Sequence, residues 1–455
     1  MSILSHIAYS GLQSSQMAMT STGQNIANVN TPGFSRIAPT LVSVAGQNGR
    51  SAGGGVEIAS IRRLSSEFQN QQLWRANTEK NMYASAQQYL GALESLMDGD
   101  GSSISIGLDQ FFAALSELTV SPESMALRQQ IISEAGNLAQ RFNGLSGNID
   151  AQIRALHEQR EAMVGQVNGL LGNIGQLNQR IVEAKALGED TNALLDHRES
   201  LIGELSQFAS IRTTDVPDGS VTLSLANGQP LVAGATASTL QVNRLANGEQ
   251  QLSLRFGKSE FALAQDRLGG GLGGLFNVEH QSLRPMLESI KQIAGELASS
   301  VNDTLADGFD LNGNAGKPLF AYDAGSITGL LDTTGLSASE LALSSVSDEV
   351  GNNDVLLELL ALRSSTITLN GNQTTLNDAY AGMLGQVAGA SRENQAELRT
   401  ATTVRDQAQA QRDSISAVNL DEEAVNLMTY QQAYQANMKV ISTANQLFND
   451  LMAAF

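Results

Sequence analysis

Residues 127–156, LRQQIISEAGNLAQRFNGLSGNIDAQIRAL, decide the fold class. Leu127, Ile131, Leu138, Phe142, Leu145, Ile149, Ile153 and Leu156 recur at helical spacings and fall on one seam of an α-helix. The seam runs on through Met163, Val167, Leu170, Ile174, Leu177 and Ile181 until Gly188 stops it. Ser121 and Pro122 supply an N-cap and a first-turn proline ahead of it. The pattern predicts one very long helix or two nearly collinear ones. Gly165, Gly169, Gly172 and Gly175 weaken it, so close helix packing is expected to compensate.

Outward from this segment the character alternates. Helical patterning precedes it from near Leu64 to about Met97, where Asp98-Gly99-Asp100-Gly101 breaks it, and Gly46 to Gly55 reads as loop or short extended segments. Between Ile211 and Ala264 the period changes to two. Val221, Leu223 and Leu225 alternate with polar residues, as do Leu252, Leu254 and Phe256. Asn227-Gly228, Asn247-Gly248 and Asp218-Gly219 stand where hairpin turns belong. Gly269 to Gly274 reads as a hinge back to helix. Helices are then expected from Phe276 to about Leu305 and from about Leu376 to Ser416, the latter with a seam of Leu376, Tyr380, Met383, Val387, Leu398, Ala401, Ala408 and Ile415. The expected fold is mainly α, elongated and nested. Residues 1–35 and 418–455 are terminal coiled-coil helices, 36–210 and 269–417 a long-helix bundle, and 211–268 a small inserted β-domain.

Both ends are poor in charge. The first charged side chain is Arg36, and after Ala424 only Lys439 and Asp450 occur. At the N-terminus Ile3, Leu4, Ile7, Ala8, Leu12, Ala18, Met19 and Ile26 share one helical face. At the C-terminus Ala424, Leu427, Tyr434, Met438, Ile441, Phe448 and Met452 repeat with coiled-coil rhythm, and Ala433, Val440, Ala444, Leu447 and Leu451 form a second stripe beside them. An ordinary surface helix carries charges on its solvent face. A helix surrounded by other subunits avoids them, because burying an unpaired charge costs several kcal/mol.

The 455-residue chain as a whole bounds function by what it lacks. It has no cysteine, which removes disulfides, thiolate metal sites and cysteine nucleophiles. With 27 basic and 46 acidic residues its net charge is -19, which argues against nucleic acid and anionic membranes as partners. No apolar run reaches the ~18 residues of a membrane span. The N-terminus lacks a basic segment followed by an apolar core, so no cleaved secretory signal peptide is expected. His6, His157, His197 and His280 are scattered, and His157 and His197 read as solvated. Asp310, Asn312 and Asn314 resemble the start of a calcium loop, but Ala315 and Ala321 stand where glycine and a bidentate Glu are needed, so the segment reads as a polar turn. Gly269 to Gly274 lacks the Lys-Ser or Lys-Thr of a phosphate loop. No nucleophile–base constellation, metal site or cofactor site emerges.

Two strings carry a resemblance. Asn25-Ile26-Ala27-Asn28-Val29-Asn30-Thr31-Pro32-Gly33-Phe34 reads physically as a helix stop followed by a type II turn. As a whole it resembles the N-terminal signature of the flagellar axial proteins, the family of rod, hook and hook-associated proteins, in which Tyr often stands where this chain has Phe34. Val418-Asn419-Leu420-Asp421-Glu422-Glu423-Ala424-Val425-Asn426-Leu427, continuing as Gln431-Gln432-Ala433-Tyr434-Gln435-Ala436-Asn437 and Lys439-Val440-Ile441, is similar to that family's C-terminal signature. The middle resembles the hook-associated protein 1 branch at Phe111-Phe112-Ala113-Ala114-Leu115, at Ser121-Pro122-Glu123 with Arg128-Gln129, and at Asn192-Ala193-Leu194-Leu195-Asp196-His197-Arg198-Glu199-Ser200-Leu201.

The resemblance implies a structural junction protein that self-associates as a ring between hook and filament, with paired terminal helices around an export channel. It implies extracellular placement in the flagellum by type III export. The implied partners are the hook protein, the second hook–filament junction protein and an export chaperone. The implied assembly residues are Asn25, Ile26, Ala27, Asn28, Asn30, Thr31, Pro32, Gly33 and Phe34, together with a C-terminal assembly and chaperone helix presenting Leu427, Tyr434, Met438, Ile441, Phe448 and Leu451. A hook or distal rod protein is the alternative within the family, although those have predominantly β middles. A secreted enzyme would need a convergent polar site, and an adhesin would use residues 211 to 264 to bind its ligand.

Overall fold

The computed structural model describes residues 3–45, 53–97, 99, 101–369 and 371–454. Helix α1 (Ile3–Ala27) leads into a hairpin of β1 (Ile37–Val44) and β2 (Gly55–Arg63), then helices α2 (Glu67–Met97), α3 (Ile104–Leu118), α4 (Met125–Leu187) and α5 (Asn192–Leu205). Strands β3 (Ile211–Asp215), β4 (Val221–Leu225), β5 (Pro230–Ala233), β6 (Thr236–Ala237), β7 (Thr239–Arg244), β8 (Gln250–Phe256) and β9 (Ser259–Ala262) come next. Helices α6 (Gly270–Val278) and α7 (Arg284–Ala306) follow, then β10 (Phe320–Tyr322), β11 (Leu331–Thr333), α8 (Asp354–Ala361), β12 (Ile367–Leu369), β13 (Asn372–Thr374), α9 (Leu376–Ser416) and α10 (Leu420–Ala453). The fold is mainly α, as the periodicity predicts.

The long seam forms a single helix. α4 runs for 63 residues, about 95 Å at 1.5 Å per residue. Gly188 closes it in the left-handed conformation (φ 72°), its amide donating to the Ala184 and Lys185 carbonyls. The start differs from the expectation: Ser124, not Ser121, is the N-cap. Ser121 and Pro122 lie in a preceding turn, where buried Arg128 donates from Nε to the Pro122 carbonyl at 2.6 Å and from Nη1 to the Leu341 carbonyl at 2.6 Å. Burial pushes the Arg128 guanidinium down to about 10.

α4 serves two cores. Its first half, Ile131 to Leu156, packs with Leu93 and Met97 of α2, Phe111 and Phe112 of α3, and the Ile290–Val301 face of α7. Its second half, Val164 to Leu177, packs with Trp74, with Leu201, Ile202 and Leu205 of α5, and with the β-domain. That domain holds a four-stranded sheet, β3-β4-β5-β6, and a three-stranded sheet, β7-β8-β9. Gly219, Gly228 and Gly248 take positive φ at the three anticipated turns.

Three local readings are corrected. Gly165, Gly169 and Gly172 face open space; only Gly175 sits at a close contact, where a Cβ would stand 2.8 Å from the Ala235 carbonyl oxygen. The Gly269–Gly274 run is the buried start of α6 rather than a hinge. A Cβ on Gly274 would stand 2.1 Å from the Met82 carbonyl oxygen, so this glycine lets α6 lie directly on α2. Finally, residues 37–44 and 55–63 pair as an antiparallel hairpin and pack against α1, so the chain after residue 35 first builds onto the terminal helix. Residues 46–52 of the anticipated Gly/Ser-rich loop lie outside the described residues, as do Asp98 and Asp100 of the break after α2.

His157 is not solvated. A π-helical turn, Glu279–Leu283, joins α6 to α7 just before Pro285, whose missing N–H interrupts the regular ladder. That turn aims the fully buried Glu279 at His157 Nε2 (2.9 Å), Arg160 Nη2 (2.6 Å) and Arg284 Nη2 (2.7 Å). Burial alone would raise the Glu279 carboxyl, but these three partners overcome it and hold the group at about 2. Asp310 does form a polar turn: its carboxylate accepts the Asn312 and Asn314 amides at 2.8 Å each.

Gly274→Ala is expected to destabilise the chain by about 1–3 kcal/mol through overpacking against Met82, whereas Gly172→Ala, which meets nothing, should be neutral or stabilising. Urea midpoints read from Trp74 fluorescence check the contrast. Because its native value lies below the ordinary 4.5, Glu279 contributes stability that is fully present above pH 4.5. That stability is lost as pH falls toward 2, to the extent of about 3 kcal/mol. The midpoint difference between the native chain and Glu279→Gln should therefore shrink below pH 4.5, and a pH-independent gap would contradict this reading.

Candidate functional site

α1 and α10 pack antiparallel along their length. The faces in contact coincide only in part with the apolar stripes the sequence suggests: Ala8, Ala18 and Ala444 are buried there and Tyr434 and Ile441 half-buried, while the rest is small or polar. On α1 the buried residues are Ser5, Ala8, Ser14, Ser15, Ala18, Ser21, Thr22 and Asn25. On α10 they are Glu423 and Ala444. Small side chains let the backbones approach: a Cβ on Gly11 would stand 2.7 Å from Asn437 Oδ1. Several α1 hydroxyls donate back to their own helix, Ser15 to the Gly11 carbonyl at 2.8 Å and Ser21 to the Met17 carbonyl at 3.2 Å, so they enter the contact already satisfied.

Most of the large apolar residues of the stripes are left exposed. Leu427 is 38%, Met438 47%, Phe448 55% and Leu451 56% exposed, while Tyr434 and Ile441 are half-buried. On α1, Ile3 is 72% and Leu4 44% exposed. α1 contains no Asp, Glu, Lys or Arg; α10 opens with Asp421, Glu422 and Glu423 and thereafter has only Lys439 and Asp450. The acidic first turn suits the positive end of the helix dipole, and Asn419 caps it by accepting the Asp421 and Glu422 amides.

The two signature strings meet at the other end of this pair. Asn25 donates from Nδ2 to the Ile37 carbonyl (2.9 Å) and to Glu423 Oε1 (3.1 Å), and its Oδ1 accepts the Ile37 amide (2.9 Å). This one buried side chain thereby joins α1, the start of β1 and the first turn of α10. Arg36 reinforces the joint: its amide donates to the Ser416 carbonyl (2.8 Å) and its Nη1 pairs with Glu422 Oε2 (2.7 Å).

Between them the turn forms as expected. Gly33 has φ 80°, and the Phe34 amide donates to the Thr31 carbonyl at 3.2 Å. Asn28 accepts the Thr31 hydroxyl (3.2 Å) and donates to the Gln24 carbonyl (2.9 Å). Ile26 is half-buried; Ala27, Asn30, Thr31 and Pro32 are exposed.

The turn docks on α5, which carries the third resembling string. Pro32, Gly33, Phe34, Ala193, Asp196 and His197 line a groove of about 350 Å³ between them. Ser35, fully buried, donates its amide to Asp196 Oδ2 (3.3 Å), and Arg63 at the end of β2 pairs with Asp196 Oδ1 (2.8 Å) and Glu199 Oε2 (2.6 Å). Burial pushes the Asp196 carboxyl up, against the opposing pull of Arg63 and Ser35. Sequence reading passes over Arg63, Ser35 and Ser416. Arg36 left one trace, as the first charge of the chain.

The geometry is that of a polar joint beside an exposed, nearly charge-free apolar surface. Among the described residues no group of three or more His, Cys, Asp or Glu is placed to hold a metal ion, and no helix is long and apolar enough to cross a membrane. Residues 90–320 match the helical domain of the flagellar hook-associated protein FlgK, and residues 409–454 match the C-terminal region of the flagellar basal body rod FlgEFG proteins. The chain is 26% identical to flagellar hook-associated protein 1 of Escherichia coli (strain K12), over 99% of this chain and 100% of that protein. It is 24% identical to flagellar hook-associated protein 1 of Bacillus subtilis (strain 168), over 97% and 96% respectively. In fold it is similar to the flagellar hook junction protein FlgK from Burkholderia pseudomallei, with a TM-score of 0.70 and 16% identity over 76% of this chain and 100% of that one.

Asn25→Ala should leave the buried Ile37 amide and carbonyl unpaired, costing about 1–3 kcal/mol for each group. Asn25→Asp should be worse, since it places a second carboxylate beside the buried Glu423. Thermal melts followed at 222 nm, with proteolysis between residues 28 and 36, test that ranking; an Asn25→Asp variant as stable as the native chain would refute it.

Proposed function

The chain belongs to the flagellar hook-associated protein 1 family, and on that premise we propose that it is the structural junction protein that joins the hook to the filament, assembling there as a ring outside the cell. The observation that carries this reading is the division of labour on the terminal helices. Small and polar residues hold α1 to α10, and the apolar, nearly charge-free stripes are left for neighbours. Exposed apolar surface of that extent marks an interaction site. Burying it between subunits carries no penalty for stripping water from charges.

Asn25, Asn28, Gly33 and Phe34 act in this reading as the joint that sets the assembly helices on the body, and Leu427, Met438, Phe448 and Leu451 as contacts to adjoining subunits. Those neighbours are further copies of this chain, the hook protein below and a second junction protein above. Before export the same α10 stripe is covered by a chaperone. A hook or rod role is disfavoured by the long-helix body, which the family's helical domain matches over residues 90–320.

Cells lacking the gene are expected to bear hooks without filaments and to release monomeric filament protein into the medium, as seen by electron microscopy and immunoblot. Loss of the hooks as well would mean a rod or hook component. Normal filaments would overturn the junction role.

A further inference from the structure

The terminal elements form a unit of their own. α1 packs along α10, β1 and β2, and Asn25 ties α1, β1 and α10 together. Among the described residues neither apolar core enters this unit, since both are built from residues between Trp74 and Ala390. None of α1, β1, β2 and α10 packs along an element of the body. What holds the unit at one tilt must therefore be sought in the connections and the polar bonds.

The chain crosses between unit and body twice, at 64–66 between β2 and α2 and at 417–419 between α9 and α10. Arg36 bonds to both crossings. Its carbonyl accepts the Leu64 amide at 2.8 Å, its amide donates to the Ser416 carbonyl at 2.8 Å, and its Nε donates to the Ile415 carbonyl at 3.1 Å. The pivot of the unit lies there. A second set of bonds reaches a different element, α5. Asn192 donates from Nδ2 to the Ile61 carbonyl at 3.2 Å, and the Ser35 amide donates to Asp196 at 3.3 Å. Arg63 adds the charged pair of contacts to Asp196 and Glu199, and Asn70 of α2 holds Glu199 from behind at 2.9 Å.

The contact with α5 is otherwise poorly filled. Gly33 comes close enough that a Cβ would stand 3.4 Å from Ser200 Cβ. Two clefts, of about 350 and 140 Å³, are each walled by Gly33 and Ser200. A polar, incompletely packed contact between two units permits relative motion.

We infer that Arg63 is the positioning residue that sets the tilt of the terminal unit on the body, and that without it the unit rocks about Arg36. Its guanidinium suits the task. Nε and Nη2 engage two carboxylates one turn apart on α5, which fixes direction as well as distance. The Arg63 side chain is 6% and that of Asp196 13% exposed, so solvent screens the pair little. An ammonium could satisfy one of the two carboxylates but not the fork.

The chain has no cysteine, so spin labels can be placed in pairs by substitution alone. Gln16→Cys with Gln176→Cys spans the joint; both sites are exposed, and each lies about 17 Å along its helix from the end nearer the joint. Gln16→Cys with Gln435→Cys lies wholly within the terminal unit. Pulsed electron paramagnetic resonance on the full chain should give a narrow distance distribution for each pair. Arg63→Ala should widen the cross-joint distribution about twofold or more and leave the internal one unchanged, with Arg63→Lys falling between native and Arg63→Ala. An unchanged cross-joint width would overturn the assignment. Equal widening of both pairs would overturn it as well, because Arg63 would then only stabilise the terminal unit. The tilt belongs to the single chain, so its failure is distinct from failure of the junction role, which shows as normal filaments in cells without the gene.

Discussion

One buried carboxamide governs how the paired terminal helices are set on the body. Asn25 saturates its side chain with the Ile37 amide and carbonyl and with Glu423, so α1, the hairpin and α10 converge on a single group. The residues that close around it come from opposite ends of a 455-residue chain. In a buried site each of these polar groups is costly unless paired, and the arrangement pairs all of them at once. Outward from Asn25, Arg36 fastens the end of α9 and the start of α10. Arg63 then fastens the end of the hairpin to α5. The joint is polar throughout, and its directional bonds fix an angle that apolar packing alone would leave loose.

The body to which this joint connects owes its length to α4. Because one helix passes through both hydrophobic cores, the bundle core and the β-domain core are tied by an unbroken hydrogen-bonded ladder rather than by a linker. The Glu279 cluster lies where these cores meet. It draws partners from α4, from the π-turn before α7 and, through the Arg160–Gln250 hydrogen bond at 3.3 Å, from β8. A buried ion pair contributes little net stability against an apolar substitute, but removing one partner leaves the others buried and unpaired, which is severe.

The sequence was most legible where a local signal repeats. The α4 seam persists over about fifteen turns and ends at a glycine, and the Asn-Gly turns fall between alternating strands, so both elements could be read without the structure. Contacts set by distant geometry were not legible. Nothing near Arg63 announces Asp196, and a glycine run looks the same whether it bends freely or lies against Met82. The terminal helices show the subtler failure. Hydrophobicity ranks Leu4, Leu427 and Phe448 as the residues to bury, yet Ser5, Ser15 and Asn25 are buried instead. Size decided that contact, because only small side chains allow these backbones to approach.

The net charge of -19 resides away from these exposed apolar residues. Lys439 and Asp450 cancel, so all of it lies between Arg36 and Glu423. In the assembly proposed above, copies packed side by side bring like-charged bodies together. At physiological salt that repulsion decays over about 8 Å, and it opposes close packing of the bodies more than of the ends. On that proposal cohesion falls to the terminal helices, where apolar area is exposed and charge is nearly absent. Repelling bodies on cohesive ends disfavour indiscriminate aggregation and favour the one mode of association that joins ends while spacing bodies apart.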